Sequence, residues 1–524
     1  MYDLIIRNGK IVDGTGAPWF AADLAIRDGL IVSVGSISGE AVQEIDARGL
    51  FITPGFIDIH THSDESVLCD PSSQSKITQG ITTEVIGNCG YSAAPAVGGA
   101  VAKVKESLAE FALELTWSSF AEYLDCLRRV RPSVNLYPLV GHGILRRAVQ
   151  AGPDQEVSQG KLVHLLEEVL DQGARGLSTG LIYPPGCFAT TEEICRLCKI
   201  NARKGGIYAT HIRNEGDNLL DAVTEAITIG ERSGVRVQIS HLKAAGPANH
   251  GRVTEALDLI LRARERGVDV AYDAYPYTAS STGLSAYLPD WAHRPDGRTL
   301  REKLLDPTLS RRLQAETEAI VVARGGWGAL MVSFLSDQAN SWMVGLSLAE
   351  IAEQTGQEPW SVVKELLLQN QTVEVICFCL SQADVDQVIC HPLATFGSDA
   401  TSRAVQGVLA QGKPHPRAFG TFPRIIRDYV RERKLLGFEE AIRKMTSAPA
   451  ARLGLYRRGM IRPGFAADLV GLDYASIADQ ATYLEPHRLS TGIVFVLVNG
   501  GLAYDVAGGV TLPGFGQVLS SDKA

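Results

Sequence analysis

Hydrophobic and polar positions alternate near both ends of the chain. Residues 3–13 and 25–35 each alternate around glycine turns, a pattern typical of antiparallel strands. Residues 459–471 and 493–501 have the same strand-like character. The pattern therefore predicts strands at both ends of the chain and a different architecture between them.

The middle of the chain repeats another pattern. From about residue 55 to residue 454, short apolar runs typical of buried strands alternate with stretches of helical periodicity. This βα rhythm predicts an α/β fold of the TIM type, a (β/α)8 barrel. Residues 278–370 are too many for one connection, and we interpret them as a mostly helical insertion over the mouth of the active site.

One apolar run ends in two histidines. Phe56, Ile57 and Ile59 follow a Pro-Gly pair and lead into His60-Thr61-His62. Because side chains alternate along a strand, His60 and His62 would point to the same side and could bind one cation together, as zinc prefers. Two surface histidines in a loop are the alternative interpretation.

Four later strand-like runs also end in residues that can bind metals. These residues are Cys89, His211, His241 and Asp399. Taken singly, a buried cysteine or histidine is more often structural than catalytic. A barrel of parallel strands, however, gathers the residues that follow its strands on one face. Together they predict a metal centre.

Several motifs give the chain a resemblance to a known family. It is similar to the amidohydrolase superfamily and, within it, to the N-acyl-D-amino-acid deacylases, or D-aminoacylases. The motifs lie at residues 54–62, 78–83, 87–90, 176–185, 210–215, 240–243, 273–278, 397–399, 415–417 and 420–424. The resemblance implies that both termini build a small β-sandwich domain, residues 1–54 plus 455–524, beside a catalytic barrel of residues 55–454.

The resemblance also implies how metal is bound. Many amidohydrolases bridge two metals with a carboxylated lysine on the fourth strand, but residues 174–179 contain no lysine. In the family that this chain resembles, a cysteine takes that role, and Cys89 stands in the matching Asn-Cys-Gly motif. By the resemblance, Cys89, His211 and His241 hold one tight zinc ion. His60 and His62, with Asp399, hold a second ion that is weak or absent.

Asp399 is the candidate catalytic residue. A metal-activated water would attack an amide carbonyl, and a base must take the proton from that water. An ionised Asp399 could accept this proton and return it to the departing amine. The alternative is an aspartate that caps the next helix.

An N-acyl amino acid also carries a free carboxylate, and the resemblance assigns its binding to Lys243, Arg417 and Tyr183. Their ordinary interpretations are a solvated lysine, a surface arginine and a loop tyrosine. Residues 400–416 form a long connection before Arg417 and are a candidate lid. Residues 278–291 carry no lysine or arginine, which favours an apolar substrate side chain over D-glutamate or D-aspartate.

Two other functions remain open on the sequence. One is hydrolysis of a cyclic amide, an imide or a dipeptide at the same site, and the other is a catalytically silent scaffold. The preference for D substrates follows from the resemblance only.

Composition excludes some classes of protein. The 524 residues are 45% hydrophobic and 21% charged, with a formal net charge of −9, and no basic face indicates nucleic-acid binding. No apolar stretch is long enough to cross a bilayer, and the chain opens as a strand without a signal-peptide core. We therefore expect a cytoplasmic enzyme with a small-molecule substrate.

Overall fold

The computed structural model describes residues 1–150, 157–294 and 296–519. Its strands, numbered in chain order, are β1 (Tyr2–Ile11), β2 (Phe20–Arg27), β3 (Leu30–Gly35), β4 (Ala41–Asp46), β5 (Phe51–Pro54), β6 (Phe56–Asp58), β7 (Ile81–Ile86), β8 (Asn135–Pro138), β9 (Val140–Gly141), β10 (Gly176–Gly180), β11 (Ile207–His211), β12 (Arg236–Ile239), β13 (Val270–Ala274), β14 (Ser280–Gly283), β15 (Leu330–Leu335), β16 (Val373–Cys377), β17 (Ala394–Phe396), β18 (Leu469–Leu472), β19 (Ile493–Val498), β20 (Gly501–Asp505) and β21 (Gly509–Val510).

Helices connect most of these strands. They are α1 (Ser66–Cys69), α2 (Gln74–Ile77), α3 (Ala100–Ala109), α4 (Phe120–Val130), α5 (His142–Val149), α6 (Gln159–Asp171), α7 (Thr191–Arg203), α8 (Leu219–Ser233), α9 (Val253–Glu265), α10 (Leu300–Leu305), α11 (Pro307–Ala323), α12 (Leu348–Thr355), α13 (Pro359–Gln369), α14 (Gln382–Cys390), α15 (Arg417–Arg424), α16 (Phe438–Met445) and α17 (Ser447–Leu453). Short 3-10 helices lie at Gly186–Phe188, Pro247–Asn249, Leu284–Tyr287, Asp290–His293, Trp327–Ala329, Gln338–Met343 and Val408–Ala410, and a π-helix lies at Ile425–Glu432.

Strands from both ends of the chain share one sheet. Its order is β21-β20-β19-β18-β5-β1-β2-β3, and β4 pairs with β1. β18 joins the two ends by pairing antiparallel with β5, with Leu469 opposite Pro54. Alternate residues of β1, such as Leu4 and Ile6, pack into a core with Leu497 of β19. The alternation seen in the sequence is the inward-facing pattern of this sheet.

Parallel strands occupy the middle of the chain. From β6 to β13, strands that are consecutive in the chain pair in parallel. β8 and β9 together take one place in this series, because β8 pairs with β7 and β9 pairs with β10. β17 pairs with β13. The path returns to its start, because the Ile59 amide donates to the Phe396 carbonyl at 3.4 Å and Thr61 bridges Ala400. The chain therefore has an α/β fold in which the carboxyl ends of parallel strands meet.

The long segment between β13 and β17 has a core of its own. Helices α10 to α13 pack around apolar residues that include Leu304, Val332 and Trp360. The segment also carries an antiparallel sheet, in the order β14-β16-β15. Its side chains form one wall of a cavity above the parallel strands.

Among the helices of the described residues, none combines the length and the apolar character that crossing a bilayer requires.

Candidate metal centre and active site

Four predicted ligands meet at one point beyond the parallel strands. His60 and His62 follow β6, Cys89 follows β7 and Asp399 follows β17. His60 Nε2 lies 3.3 Å from Cys89 Sγ and 3.5 Å from Asp399 Oδ1. His62 Nε2 lies 3.0 Å from the same Asp399 oxygen. These four side chains can converge on one ion.

A second group shares its thiol with the first. Cys89 Sγ lies 3.9 Å from His211 Nδ1 and 3.7 Å from His241 Nε2. His211 is the last residue of β11, and His241 follows β12. Within each group, the ligand atoms lie within 4.8 Å of one another. All six predicted metal ligands are therefore brought together in two groups that share Cys89.

Three of these residues have left-handed backbones. Cys89 has φ 51°, His241 φ 37° and Asp399 φ 50°, a region that costs non-glycine residues free energy and persists only where neighbours hold it. The Asp399 amide donates to the His60 carbonyl at 2.8 Å, and the His241 amide donates to Asp273 Oδ1 at 2.8 Å. The turns after the strands are thus fixed in the conformation that aims these side chains inward.

The electrostatics of the site favour charged ligands. Burial raises the pKa of the Cys89 thiol, but His60, with the other nearby imidazoles, outweighs burial and holds that pKa well below its ordinary value. Burial also raises the pKa of the Asp399 carboxyl, but Arg417 and His241 hold it well below its usual range. A thiolate, imidazoles and a carboxylate form a donor set that suits a borderline divalent cation. The side chains present therefore fit a metal ion.

Known proteins are similar to this chain over its whole length. Residues 43–181 and 385–504 match the family described as the amidohydrolase family. An N-acyl-D-aspartate deacylase of Alcaligenes xylosoxydans xylosoxydans is 38% identical, covering 100% of this chain and 96% of the relative. The D-aminoacylase of the same organism is 36% identical, covering 95% of this chain and 94% of the relative.

The chain belongs to the amidohydrolase family. A solved N-acyl-D-glutamate deacylase from Bordetella bronchiseptica, complexed with zinc and a phosphonate that mimics the tetrahedral intermediate, has a TM-score of 0.84 and 34% identity. The match covers 99% of this amidohydrolase and 100% of that chain. The predicted resemblance to N-acyl-D-amino-acid deacylases is confirmed, and a metal site is part of it.

The two groups of candidate metal ligands in this amidohydrolase open into a cavity of about 1110 Å³. The three predicted substrate-binding residues, Lys243, Arg417 and Tyr183, all line it. Lys243 Nζ pairs with Glu215 Oε1 at 2.6 Å, and Arg417 Nη1 pairs with Asp399 Oδ2 at 2.8 Å. Both cations are therefore buried and paired with protein carboxylates, rather than solvated.

Tyr183 packs against one of the candidate ligands, His211. Its hydroxyl is 3.0 Å from Thr282 Oγ1, and its ring centroid is 5.0 Å from that of His211. This contact ties the connection after β10 to β14 of the inserted segment.

The candidate lid, residues 400–416, is anchored at several points in this conformation. The Ser402 amide donates to Ser63 Oγ at 2.9 Å, and the Lys413 amide donates to the Ser333 carbonyl at 2.7 Å. Arg417 already reaches Asp399. Movement of this segment stays a prediction.

Two buried carboxylates, absent from the residues predicted for the site, lie beside its histidines. Glu215 Oε1 lies 2.9 Å from His241 Nδ1, opposite the nitrogen that faces Cys89. Asp273 Oδ1 lies 3.2 Å from His60 Nδ1. A carboxylate beside the outer nitrogen of a metal-binding histidine fixes the orientation of the ring and raises its basicity. Both residues lie within motifs of the resemblance, and the spacing of Glu215, four residues after His211, was the available signal.

Replacing Glu215 tests this supporting role. Glu215→Gln is expected to lower zinc affinity by about 10- to 100-fold, because His241 Nδ1 and the Lys243 ammonium, 2.7 Å from it, lose the carboxylate that both contact. Zinc competition with a chelator measures this affinity. Glu225→Gln is the control. Glu225 Oε2 pairs with Arg213 Nε at 2.9 Å, outside the site, so this variant should bind zinc normally. Equal zinc affinities of the two variants would contradict the prediction.

Proposed function

We propose that this protein hydrolyses the amide bond of N-acyl-D-amino acids in a zinc-dependent reaction that yields a D-amino acid and a carboxylate. The observation that carries the proposal is the pair of metal-ligand groups sharing Cys89 at the floor of the cavity, with Asp399 in one of them. Full-length relatives named as deacylases of N-acyl-D-amino acids support the same reaction class and the D preference.

Zinc fits the ligand chemistry best among common cations. Cys89, His211 and His241 would hold the tight ion, because a thiolate and two imidazoles are ligands that zinc prefers. His60, His62 and Asp399 would hold a second, weaker ion. Bound zinc supplies Lewis acidity, which makes a water more acidic and polarises an amide carbonyl.

Asp399 is the proposed general acid and base. Its low pKa keeps it ionised near neutral pH, so it can accept a proton from the attacking water. The same carboxyl then donates that proton to the nitrogen of the leaving D-amino acid. Arg417 stays beside it and stabilises the ionised form, at 2.8 Å.

Lys243, Arg417 and Tyr183 are proposed to bind the substrate carboxylate. Two buried cations on one wall suit an acid, and a guanidinium can bind a carboxylate through two parallel hydrogen bonds. Each cation would share its charge between the protein carboxylate that it contacts and the substrate. A cyclic amide or an imide has no free carboxylate that these groups could bind. Hydrolysis of such substrates is therefore the second candidate function. A silent scaffold has no need for six converging ligands.

The substrate side chain is open between two classes. Residues 278–291 carry no cation, which supports an apolar side chain. Arg294 and Arg298 follow directly and also line the cavity, and one full-length relative is named for N-acyl-D-aspartate. These two observations, the arginines and the relative, make an acidic side chain the second candidate.

We also infer how the fold is organised around this site. In the described residues, eight parallel strand paths (β6, β7, β8 with β9, β10, β11, β12, β13 and β17) and the contact that joins the last to the first support a closed (β/α)8 barrel over residues 55–454, with an insertion at about 278–370. Residues 1–54 and 455–524 would form the small β-sandwich domain, of which residues 520–524 lie outside the described part of the chain. A cytoplasmic location is the accompanying proposal.

Release of free amine from paired substrates tests the function. N-acetyl-D- and N-acetyl-L-methionine, leucine, phenylalanine, aspartate and glutamate are compared in chelator-treated and zinc-restored protein. We expect release from the D series alone, and only with zinc. N-acetyl-D-leucinamide, which lacks the carboxylate, is expected to react poorly. Release from cyclic amides or dipeptides but not from any N-acetyl-D-amino acid would contradict the proposal.

A further inference from the structure

A lysine with no solvent exposure lies beneath the metal centre. Lys76 belongs to the short helix α2 and is 0% exposed. Its ammonium donates to Asp58 Oδ2 at 3.0 Å, to Ser398 Oγ at 2.7 Å and to the Ala400 carbonyl at 2.9 Å. All three of its protons therefore have acceptors within the protein.

The acceptors lie in the segments that carry the catalytic centre. Ser398 and Ala400 are the residues before and after Asp399, whose left-handed backbone needs support. Asp58 precedes His60 by two residues, and its second oxygen accepts from the Ser398 amide at 2.7 Å. One ammonium thus links the strand of the histidine pair to both sides of the Asp399 turn.

Two carboxylates, Asp58 and Glu84, lie near the Lys76 ammonium. Glu84 Oε2 lies 3.5 Å from Lys76 Nζ and accepts a hydrogen bond from Ser63 Oγ at 2.5 Å. Burial raises the pKa of Glu84. Asp58 Oδ2, at 3.0 Å, is the nearer carboxylate oxygen to the ammonium. A buried ion pair contributes little net stability compared with apolar packing, but its directed hydrogen bonds fix geometry.

We propose that Lys76 is a positioning residue that holds Asp399 in place at the metal centre by binding the residues on both sides of it. This inference rests on the proposed role of Asp399 as base and metal ligand. It adds a residue outside the cavity wall to the set that determines turnover. Lys76 contacts neither substrate nor metal ligand directly, so its effect passes through the Asp399 turn.

Lys76→Met tests the inference against a matched buried lysine. Lys444 is also 0% exposed and donates to the Ile389 and His391 carbonyls at 2.9 and 2.7 Å. Those carbonyls precede β17, at the end opposite Asp399, so Lys444→Met removes a buried ammonium without touching the site. We expect Lys76→Met to lower kcat by about 100-fold with KM within about threefold, and Lys444→Met to leave kcat near that of the unsubstituted protein.

Metal binding gives a second readout that needs no turnover. Zinc titration should show that Lys76→Met weakens the second ion by about 10-fold or more, while the tight ion stays bound. Thermal unfolding of both variants measures how much stability each has lost. The inference is overturned if the two lysine variants have the same kcat and the same zinc titration.

Ser398→Ala covers the case in which Lys76→Met does not fold. This variant removes one acceptor of the ammonium and keeps the Asp58 pair. A drop of about fivefold or more in kcat at unchanged KM is expected, and normal kcat together with normal binding of the second zinc would overturn the inference. If the unsubstituted protein releases no amine from any N-acetyl-D-amino acid, the proposed function fails instead, and the zinc titration still decides the role of Lys76.

Discussion

Asp399→Asn is expected to lower kcat by about 10²- to 10⁴-fold, the usual contribution of a positioned general acid and base. The amide has nearly the shape of the carboxylate but cannot take up a proton near neutral pH. The amide can still accept from Arg417, at 2.8 Å, and donate to His62, at 3.0 Å, so the variant should fold normally. The ion at Cys89, His211 and His241 should stay bound. Steady-state kinetics and metal analysis of the same preparation measure both quantities.

A second buried aspartate provides the control for this substitution. Asp479 is 5% exposed and pairs with Arg424 at 3.1 Å and Arg427 at 2.6 Å, in contacts outside the metal groups. Asp479→Asn also removes a buried charge from arginine partners and should leave kcat within about threefold. Near-normal turnover in Asp399→Asn would exclude Asp399 as the base, whereas equal losses in both variants would indicate a general loss of folded protein.

The convergence of the candidate metal ligands was predictable because their signal is local. Each follows a short apolar run, and parallel strands bring such positions to one edge whatever the details of packing. His60, Cys89 and Asp399 are therefore found by reading where strands end. Their thiol, imidazole and carboxylate groups then specify the chemistry. The family resemblance adds the sharing of Cys89 between two ligand groups, which spacing along the chain does not contain.

The partners of the charged residues were not predictable from the sequence. Lys243 was expected to face the substrate, and it pairs with Glu215, 28 positions earlier in the chain. Lys76, in a short polar stretch, has the sequence character of an exposed lysine, yet it is buried against Ser398, 322 positions later. Such pairs depend on how loops meet in space, and neither periodicity nor composition carries that information.

The inserted segment illustrates the same limit for secondary structure. Strand β14 consists of serines, a threonine and a glycine, Ser280–Gly283, without the apolar alternation by which strands are found. It forms because β16 offers an antiparallel partner, with Ser280 opposite Cys377. Tertiary pairing overrides weak local preference here. Thr282, in β14, contacts Tyr183 on the cavity wall, so this sheet supports a proposed substrate-binding residue.

Cys89→Ala is expected to lower zinc affinity by more than about 100-fold and to abolish measurable turnover. Losing a supporting residue already costs about 10- to 100-fold in affinity, and Cys89 is itself a proposed ligand. It is also the one side chain common to both groups found in the described residues. A bound ion stabilises the folded state by a free energy that rises with the logarithm of its affinity, so the variant should also lose much of the rise in unfolding temperature expected with zinc.

The control for this prediction is another buried thiol. Cys195 in α7 is 0% exposed and belongs to neither ligand group, so Cys195→Ala tests the loss of a buried sulfur without loss of a ligand. Metal analysis after dialysis against a weak chelator should find zinc in Cys195→Ala and almost none in Cys89→Ala. Full zinc occupancy in Cys89→Ala would remove the thiol from the ligand set. The two histidine pairs would then have to bind metal without a shared anionic bridge, and the second ion would depend on Asp399 alone for its negative charge.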